Sequence, residues 1–371
     1  MYFVGLDFYT YVSREIIKTP PSQRGKILRA QLILSGVLYL IYIPCVFAIL
    51  IPFSQWPSIL LFCFLPILFL EHINQEGYRL LVVLEEQVTA SVALFSRQGL
   101  LALSVVFLMT VIPAFRHLEI VMVLWIISGS LAALFTVWRI RVLQFHGWKL
   151  PTDWRWIKRG VAVSLTFLIG TLALRGMLTF DRYWLEALGG VKIVAAYVLF
   201  SGVASAMLTF LDSGVFAFAY PKLIIHHQNK DLKNAWIIMR RMIIMTVIIS
   251  AIYAILSSLL MPYFLLLINN SFYSENVYLY PWLLSATIIN AFGMIPHFCL
   301  YAAGKDKLIV KANIVTLITF LIVAFLLVDY FHELAIPIAL NFAFFSLLIF
   351  NTLAYLITIR FEKDRLTPIG I

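Results

Sequence analysis

Apolar residues occur in ten long runs along the chain, with short polar segments between them. Each run is near or above the ~20 residues that an α-helix needs to cross the hydrocarbon core of a bilayer. Backbone polar groups in lipid must be paired within the segment, so such runs predict helices. The predicted spans are 31–53, 57–77, 99–116, 118–138, 160–180, 190–220, 240–268, 279–303, 308–328 and 334–359. The pattern therefore predicts an all-α polytopic membrane protein with about ten transmembrane helices.

The composition excludes several classes of protein. With 62% hydrophobic and 12% charged residues, the chain cannot be a soluble enzyme. The net charge of +10 is explained by its distribution over the loops, so it does not indicate nucleic-acid binding. No P-loop motif is present, and no Cys or His residues have the spacing of metal ligands. We therefore expect neither an enzyme nor a bound cofactor or metal.

The basic residues lie almost wholly on every second gap between the runs. Of the 28 Lys and Arg, 24 occupy one set of gaps, and the exceptions are Arg116, Arg175, Arg182 and Lys192. The positive-inside rule places the basic set, including Arg79 and Arg97, in the cytoplasm. This predicts a bacterial inner-membrane protein with both termini cytoplasmic. The opposite gaps, such as Phe53 to Trp56 and Asp181 to Gly190, are short.

The most basic stretch divides the chain into unequal parts. Residues 138–159 combine Trp with Arg and Lys, a mixture that favours the headgroup level of a membrane. The predicted organisation is a helical lobe over 1–137, a cytoplasmic linker over 138–159 and a six-helix lobe over 160–371. Only four runs precede the linker, so the first lobe is predicted to be incomplete.

A weak repeat supports that expectation. Asp7, followed by aromatic residues and Arg14, resembles Asp212, followed by aromatic residues and Lys222. Transporters are often built from two repeats with the substrate site between them. If the two Asp residues are equivalent, one whole helix and most of a second are expected before Asp7. On this hypothesis an in-frame segment of roughly 40 to 50 codons precedes Met1.

Ionisable residues inside the predicted spans are candidates for function, because they are costly to bury in lipid. Arg175 lies roughly five residues below one end of its run; it either grips an anionic group or extends to the headgroups. Asp212 shares a helix side with Ser205, Thr209 and Ser213, which suits a water-filled cavity. A pairing of Asp212 with Lys222 is the alternative.

Two further ionisable residues are candidates for ion coupling. Glu71 lies about 22 Å along its helix from Trp56 and shares a face with residues 75 and 79, which predicts a polar stripe. The alternative is that this helix has already left the membrane. His297 follows Pro296 in a run that Gly293 also interrupts; it either faces a cavity at a broken helix or bonds to a neighbouring helix.

Five short motifs carry a resemblance to a known family. Together they look like the polysaccharide flippases, the O-antigen or exopolysaccharide transporters of the multidrug/oligosaccharidyl-lipid/polysaccharide (MOP) exporter superfamily. The motifs are GLDFYTYVSREI (5–16), QEGYRLL (75–81), SRQGL (96–100), DRYWLEALGG (181–190) and AYPKLI (219–224).

The resemblance implies a fold, a substrate and partners. It implies two six-helix lobes around a cavity and export of undecaprenyl-pyrophosphate-linked glycans by alternating access, as in lipopolysaccharide O-antigen biosynthesis. The predicted partners are this lipid-linked oligosaccharide, membrane lipids and other polysaccharide assembly proteins. Arg182 and Tyr197 join Arg175 and Asp212 in the predicted substrate site. Tyr197 either stacks on a sugar or belongs to the aromatic belt at the membrane surface.

Three other functions compete with this hypothesis. A membrane glycosyltransferase or polymerase needs catalytic groups on large outer loops, and the longest one, Asn269 to Tyr280, offers only Glu275. A cation-coupled multidrug antiporter of the same superfamily would have the same architecture, although exporters of cations are expected to use acidic residues. A non-transporting partner in polysaccharide assembly is the third alternative.

Overall fold

Long helices make up almost the whole chain in the computed structural model, which describes residues 2–53 and 58–366. The predicted outer gap Phe53 to Trp56 lies almost entirely outside these residues. The first five long helices are α1 (Tyr9–Lys18), α2 (Pro21–Phe53), α3 (Ser58–Val83), α4 (Gln87–Val111) and α5 (Leu118–Val142). The others are α6 (Trp154–Leu211), α7 (Ala217–Gln228), α8 (Leu232–Ile268), α9 (Leu279–Ala302), α10 (Asp306–Phe331) and α11 (Ala335–Leu366).

The predicted fold class is confirmed. Within the described residues, seven continuous helical stretches are long and apolar enough to cross a membrane. Each of the ten predicted runs overlaps one of the helices α2 to α11. Two pairs of runs share a stretch: one pair is joined through α6, and the other through the short turn His332–Leu334 between α10 and α11. The chain is a multi-pass, all-helical membrane protein.

A glycine turns α6 back on itself. Gly190 has φ 76° and ψ 178°, a conformation that is essentially limited to glycine. The Tyr197 hydroxyl donates a hydrogen bond of 2.5 Å to the Asp181 carboxylate. These two residues lie nearly equally far before and after Gly190, so the two arms of α6 run antiparallel. The predicted gap at 181–190 is thus the tip of a helical hairpin.

The helix α4 begins earlier than the apolar pattern predicts. The predicted run starts at residue 99, whereas the helix starts at Gln87 and includes a π-helical turn, Phe95–Gly99. Arg97, which the apolar pattern leaves between two runs, is therefore in a helix. Arg79 is in α3, as the polar stripe of residues 71, 75 and 79 requires. Both guanidinium groups have acidic partners there: Arg79 pairs with Glu76 at 2.8 Å and Arg97 pairs with Glu71 at 3.5 Å.

The chain divides into two compact units, Met1–Leu168 and Ile169–Ile371. In unit 1, α3 packs closely against α5: a Cβ on Gly77 would lie 2.6 Å from Thr136 Cγ2. The segment after α5 folds onto the start of α2, where Arg29 Nη1 donates to the Trp148 carbonyl at 3.0 Å. The predicted lobe boundary within 138–159 remains a prediction.

Unit 2 has a core of large side chains from several helices. Tyr197, Phe200 and Phe320 are almost completely buried in it. Polar bonds join α9 to α11, where Ser285 donates to Asn341 Oδ1 at 2.7 Å and the Asn341 amide donates to the Trp282 carbonyl at 2.9 Å. Hydrogen bonds between helices hold them together where lipid offers no polar partner.

Candidate functional site

The second arm of α6 has one apolar face and one polar face. Its apolar face is buried in unit 2 and consists of Ala196, Phe200, Ala204, Met207 and Leu211. The opposite side is exposed within the structure: it carries Gly202, Ser205 and Thr209 and continues to Asp212, the first residue of the π-helical turn Asp212–Phe216 that follows α6. We call these four residues the α6 polar face. Since lipid disfavours such a surface on a membrane helix, the face suits a water-filled space.

Arg175 and Asp212 lie close enough to interact electrostatically. The Arg175 guanidinium acts on the Asp212 carboxylate with attraction, and both side chains are exposed. Counted from Gly190 at 1.5 Å per residue, Asp212 lies about 10 Å farther along its arm than Arg175 does. The structure thus brings together two of the predicted site residues, with opposite charges at different depths of one hairpin.

The other two predicted substrate residues lie at the hairpin tip. Arg182 is exposed, and its backbone N–H donates to Asp181 Oδ1 at 2.7 Å. Tyr197 is 2% exposed and its hydroxyl is bonded to Asp181, so in this conformation no ring face is available for a sugar. Binding roles for both residues stay predictions.

Glu71 is held by two neighbouring helices in unit 1. Its Oε1 accepts a hydrogen bond of 2.9 Å from Trp125 Nε1, and its Oε2 pairs with Arg97 Nη2 at 3.5 Å. Arg97 Nη1 also donates to Gln75 Oε1 at 3.3 Å. The first two residues of the predicted polar stripe along α3, Glu71 and Gln75, thus contact an arginine from the π-helical turn of α4. The ion-coupling role of Glu71 stays a prediction.

A second buried cluster joins the first two motifs of the sequence. Glu76 pairs with Arg79 at 2.8 Å and accepts from Gln31 at 2.6 Å. The Arg79 guanidinium lies 3.4 Å from the centroid of the Tyr9 ring, a cation–π contact. The motifs at 5–16 and 75–81 thus contact each other through Tyr9 and Arg79. The third motif, at 96–100, supplies Arg97 to the neighbouring residues of α3.

A cavity of about 750 Å³ lies between α2, α3 and α5, entirely within unit 1. Apolar side chains form most of its wall, and Arg141, Gln144 and Trp148 lie at the end of α5 and just beyond it. Gln31 and Glu76 on the wall bond to each other, as do Tyr39 and His72 at 2.9 Å. The cavity is therefore a mainly apolar space with a basic residue at one end.

The last predicted site residue, His297, lies on α9. His297 is half-buried on α9, with its ring against Phe298, and its coupling role stays a prediction. In the described part of the chain, no three His, Cys, Asp or Glu side chains converge as metal ligands do.

Sequence reasoning missed Arg97 because the hydropathy pattern placed it in a loop. Gly99, in the motif SRQGL, is compatible either with a loop or with a continuing helix, and in the structure it ends the π-helical turn. A π-helical turn inserts one residue into a helix and is frequent at functional sites. Here it turns the Arg97 side chain inward, where it is 7% exposed.

Solved structures of transporters match nearly the whole chain. A MATE protein in its straight conformation matches with a TM-score of 0.79 and 14% identity, over 97% of this chain and 84% of that chain. An outward-facing multidrug resistance MATE family transporter of the MOP superfamily matches with a TM-score of 0.77 and 14% identity, over 97% and 84%. This chain has the MATE fold.

The inward-facing form of a MATE family transporter gives a TM-score of 0.71 at 14% identity, over 97% of this chain and 87% of that chain. No protein-family model and no curated protein sequence matches the chain. The predicted MATE-like fold is thereby confirmed. These likenesses show the fold alone, so both the activity and its substrate are matters for proposal.

Proposed function

We propose that this chain exports an undecaprenyl-pyrophosphate-linked oligosaccharide, an O-antigen or exopolysaccharide unit, across the bacterial inner membrane by alternating access. The observation that carries the proposal is the electrostatic interaction of Arg175 with Asp212, the charged residue of the α6 polar face. A guanidinium can donate two parallel hydrogen bonds to a phosphate, which suits a pyrophosphate headgroup. The hydroxyl groups of the same face suit sugars. The MATE fold supports transport, and the five motifs support a glycan as its substrate.

The test is complementation in a cell that lacks its own polysaccharide flippase, with lipid-linked glycan measured in each leaflet. Arg175→Lys keeps the positive charge but loses the guanidinium group that can donate two parallel hydrogen bonds. We therefore expect export to fall while membrane insertion is unchanged. Arg175→Gln removes the charge as well and should export less. The matched control is Lys192→Gln, which removes an exposed cation from the same helix and should keep full export. Full export by Arg175→Gln at equal protein level would rule out this role.

A cation-coupled multidrug antiporter is the second candidate. The observation that favours it is the description of one matched structure, which is that of a multidrug resistance MATE family transporter. The same strain can be assayed for efflux of a cationic dye. Dye efflux without glycan export would favour this candidate, and neither activity would favour a non-transporting partner in polysaccharide assembly.

A further inference from the structure

The cavity in unit 1 has the shape and chemistry of a lipid site. Its volume of about 750 Å³ is within the range of roughly 300–1,000 Å³ that is typical of small-molecule sites. Along α2 it extends from Leu28 to Tyr39, which is about 16 Å at 1.5 Å per residue. That length is close to half of a ~30 Å hydrocarbon core. One leaflet's acyl chain would fit along it.

The cavity is accessible from the side of unit 1. Leu32, Phe69 and Val137 on its wall are 63%, 49% and 41% exposed. Apolar side chains at such an opening favour hydrocarbon over water. On the wall, Gln31 is bonded to Glu76 and Tyr39 to His72. His72 Nε2 and Thr136 Oγ1 are buried there without a partner in the described ranges, whereas the rest of the wall is mainly apolar.

An exposed arginine, Arg141, lies at the mouth of the cavity, near the end of α5; a positive charge there favours an anionic lipid headgroup. Arg139 and Arg141 are two residues apart on α5, and Arg139 is bonded to Glu86 at 2.6 and 3.1 Å. Arg141 is exposed, lines the cavity and has no acidic partner among the residues that the structure describes. Trp148, which is 39% exposed, lies at the same mouth, as tryptophan does at headgroup level.

We propose that this cavity binds one anionic phospholipid from the leaflet beside residues 143–153. An acyl chain fills the space between α2, α3 and α5, and the phosphate bonds to Arg141. The site is independent of the proposed export activity, because none of its residues is in the predicted substrate set.

Gly36 offers a direct way to fill the cavity. It lines the wall, and a Cβ built there would meet no atom within 4 Å. Gly36→Phe should therefore occupy acyl-chain space without disturbing the helices. Val37→Phe is the matched control, since Val37 is the next residue of α2, is 45% exposed and does not line the cavity.

The experiment is native mass spectrometry of the purified full chain, titrated with phosphatidylglycerol or phosphatidylcholine. We expect wild type and Val37→Phe to retain one phosphatidylglycerol, and Gly36→Phe to bind it at least tenfold more weakly. Arg141→Gln should reduce the preference for phosphatidylglycerol over phosphatidylcholine about fivefold. Equal binding by Gly36→Phe and wild type would overturn the site, and equal binding of the two lipids by wild type would overturn the headgroup assignment.

Fluorescence gives a second measurement that needs no cavity-filling variant. Phosphatidylglycerol with brominated acyl chains should quench tryptophan emission, and Trp148→Phe should remove the saturable part of that quenching. Saturable quenching that is unchanged in Trp148→Phe would contradict the site. Retention of a polypeptide or a polyprenyl lipid instead of phospholipid would also contradict it.

Discussion

Arg97 shows how much a single buried charge matters in a membrane protein. It is held by Glu71 and Gln75, and the Glu71 carboxylate also accepts from Trp125. A buried charge of this kind needs such partners to offset the cost of removing it from water. The four side chains therefore depend on one another, and they link α3 to α4 and α5.

Removal of Arg97 should strongly destabilise unit 1. Arg97→Gln leaves Glu71 without its cation, and breaking such a pair costs roughly 3 kcal/mol. We expect the melting temperature in detergent, measured by size-exclusion chromatography after heating, to fall by several degrees. Glu71→Gln in the same chain should recover part of that loss, because the uncompensated charge is then absent.

Arg116→Gln, which removes an exposed arginine on the loop after α4, is the control and should melt like wild type. If the double variant melted no higher than Arg97→Gln alone, the ion pair would not be the source of the stability.

The Glu86–Arg139 contact predicts a pH dependence. The hydrogen bond from Arg139 lowers the pKa of Glu86 below its ordinary value of 4.5. A lowered pKa in the folded state means that the contact stabilises the fold fully above about pH 4.5 and that this contribution is lost as the pH falls through the folded pKa.

Glu86→Gln should thus melt lower than wild type at pH 7, and this difference should shrink below pH 4.5. The expected size is small, about 0.2–1 kcal/mol, because the pair lies near the surface. Glu85→Gln, at the adjacent exposed position, should show no such pH-dependent difference. A difference for Glu86→Gln that stayed constant down to pH 3 would mean that the carboxylate charge is not involved.

At the scale of elements, the close approach of α3 and α5 depends on one glycine. An alanine at Gly77 would place its Cβ 2.6 Å from Thr136 Cγ2, so either the Thr136 side chain or one of the two helices must shift. The gain in helix propensity from Gly to Ala, up to about 1 kcal/mol, should not compensate for this clash. We expect Gly77→Ala to lower the melting temperature.

The rescue is specific, because Thr136→Ser removes the clashing methyl group. The chain with both Gly77→Ala and Thr136→Ser should melt close to Thr136→Ser alone. If Gly77→Ala by itself raised the melting temperature, the helices would be less tightly packed than the structure indicates.

The sequence predicted the helices well and their side-chain contacts poorly. Apolar runs follow directly from the bilayer, so each run corresponds to a helix. Hydropathy reports only the lipid-facing part of a helix, however, and it placed Arg97 outside one. Asp181 was likewise placed in a gap between runs, although it lies within α6. Its hydrogen bond with Tyr197 depends on the turn at Gly190, and no periodicity of the sequence predicts that turn.

The candidate site was predicted in part for the same reason. Arg175 and Asp212 were identified because charges in apolar runs are conspicuous, whereas their proximity depends on the turn of α6. The buried ring of Tyr197 could not be distinguished in sequence from an exposed one, since tyrosine is common in both environments.

At the scale of the whole molecule, orientation is the main property that the basic residues predict. Single cysteines placed in 143–153 and in the Asn229 to Asp231 turn should react with a membrane-impermeant thiol reagent only in inverted vesicles. A cysteine at Glu186, in the hairpin tip, should react only in intact cells. The three native cysteines, Cys45, Cys63 and Cys299, must first be replaced. Labelling of 143–153 from outside the cell would reverse the orientation.

The hydroxyl groups on the second arm of α6 have a particular consequence for recognition. Ser205 donates to the Gly202 carbonyl at 3.0 Å, and Thr209 donates to the Ser205 carbonyl at 3.3 Å. A hydroxyl has a single hydrogen to donate. Ser205 and Thr209 donate theirs to backbone carbonyls of their own helix, so only the oxygen lone pairs remain to accept a hydrogen bond from a ligand. This surface therefore accepts hydrogen bonds, as a sugar rich in O–H donors requires, and phosphate oxygens, which also only accept, must be met by Arg175.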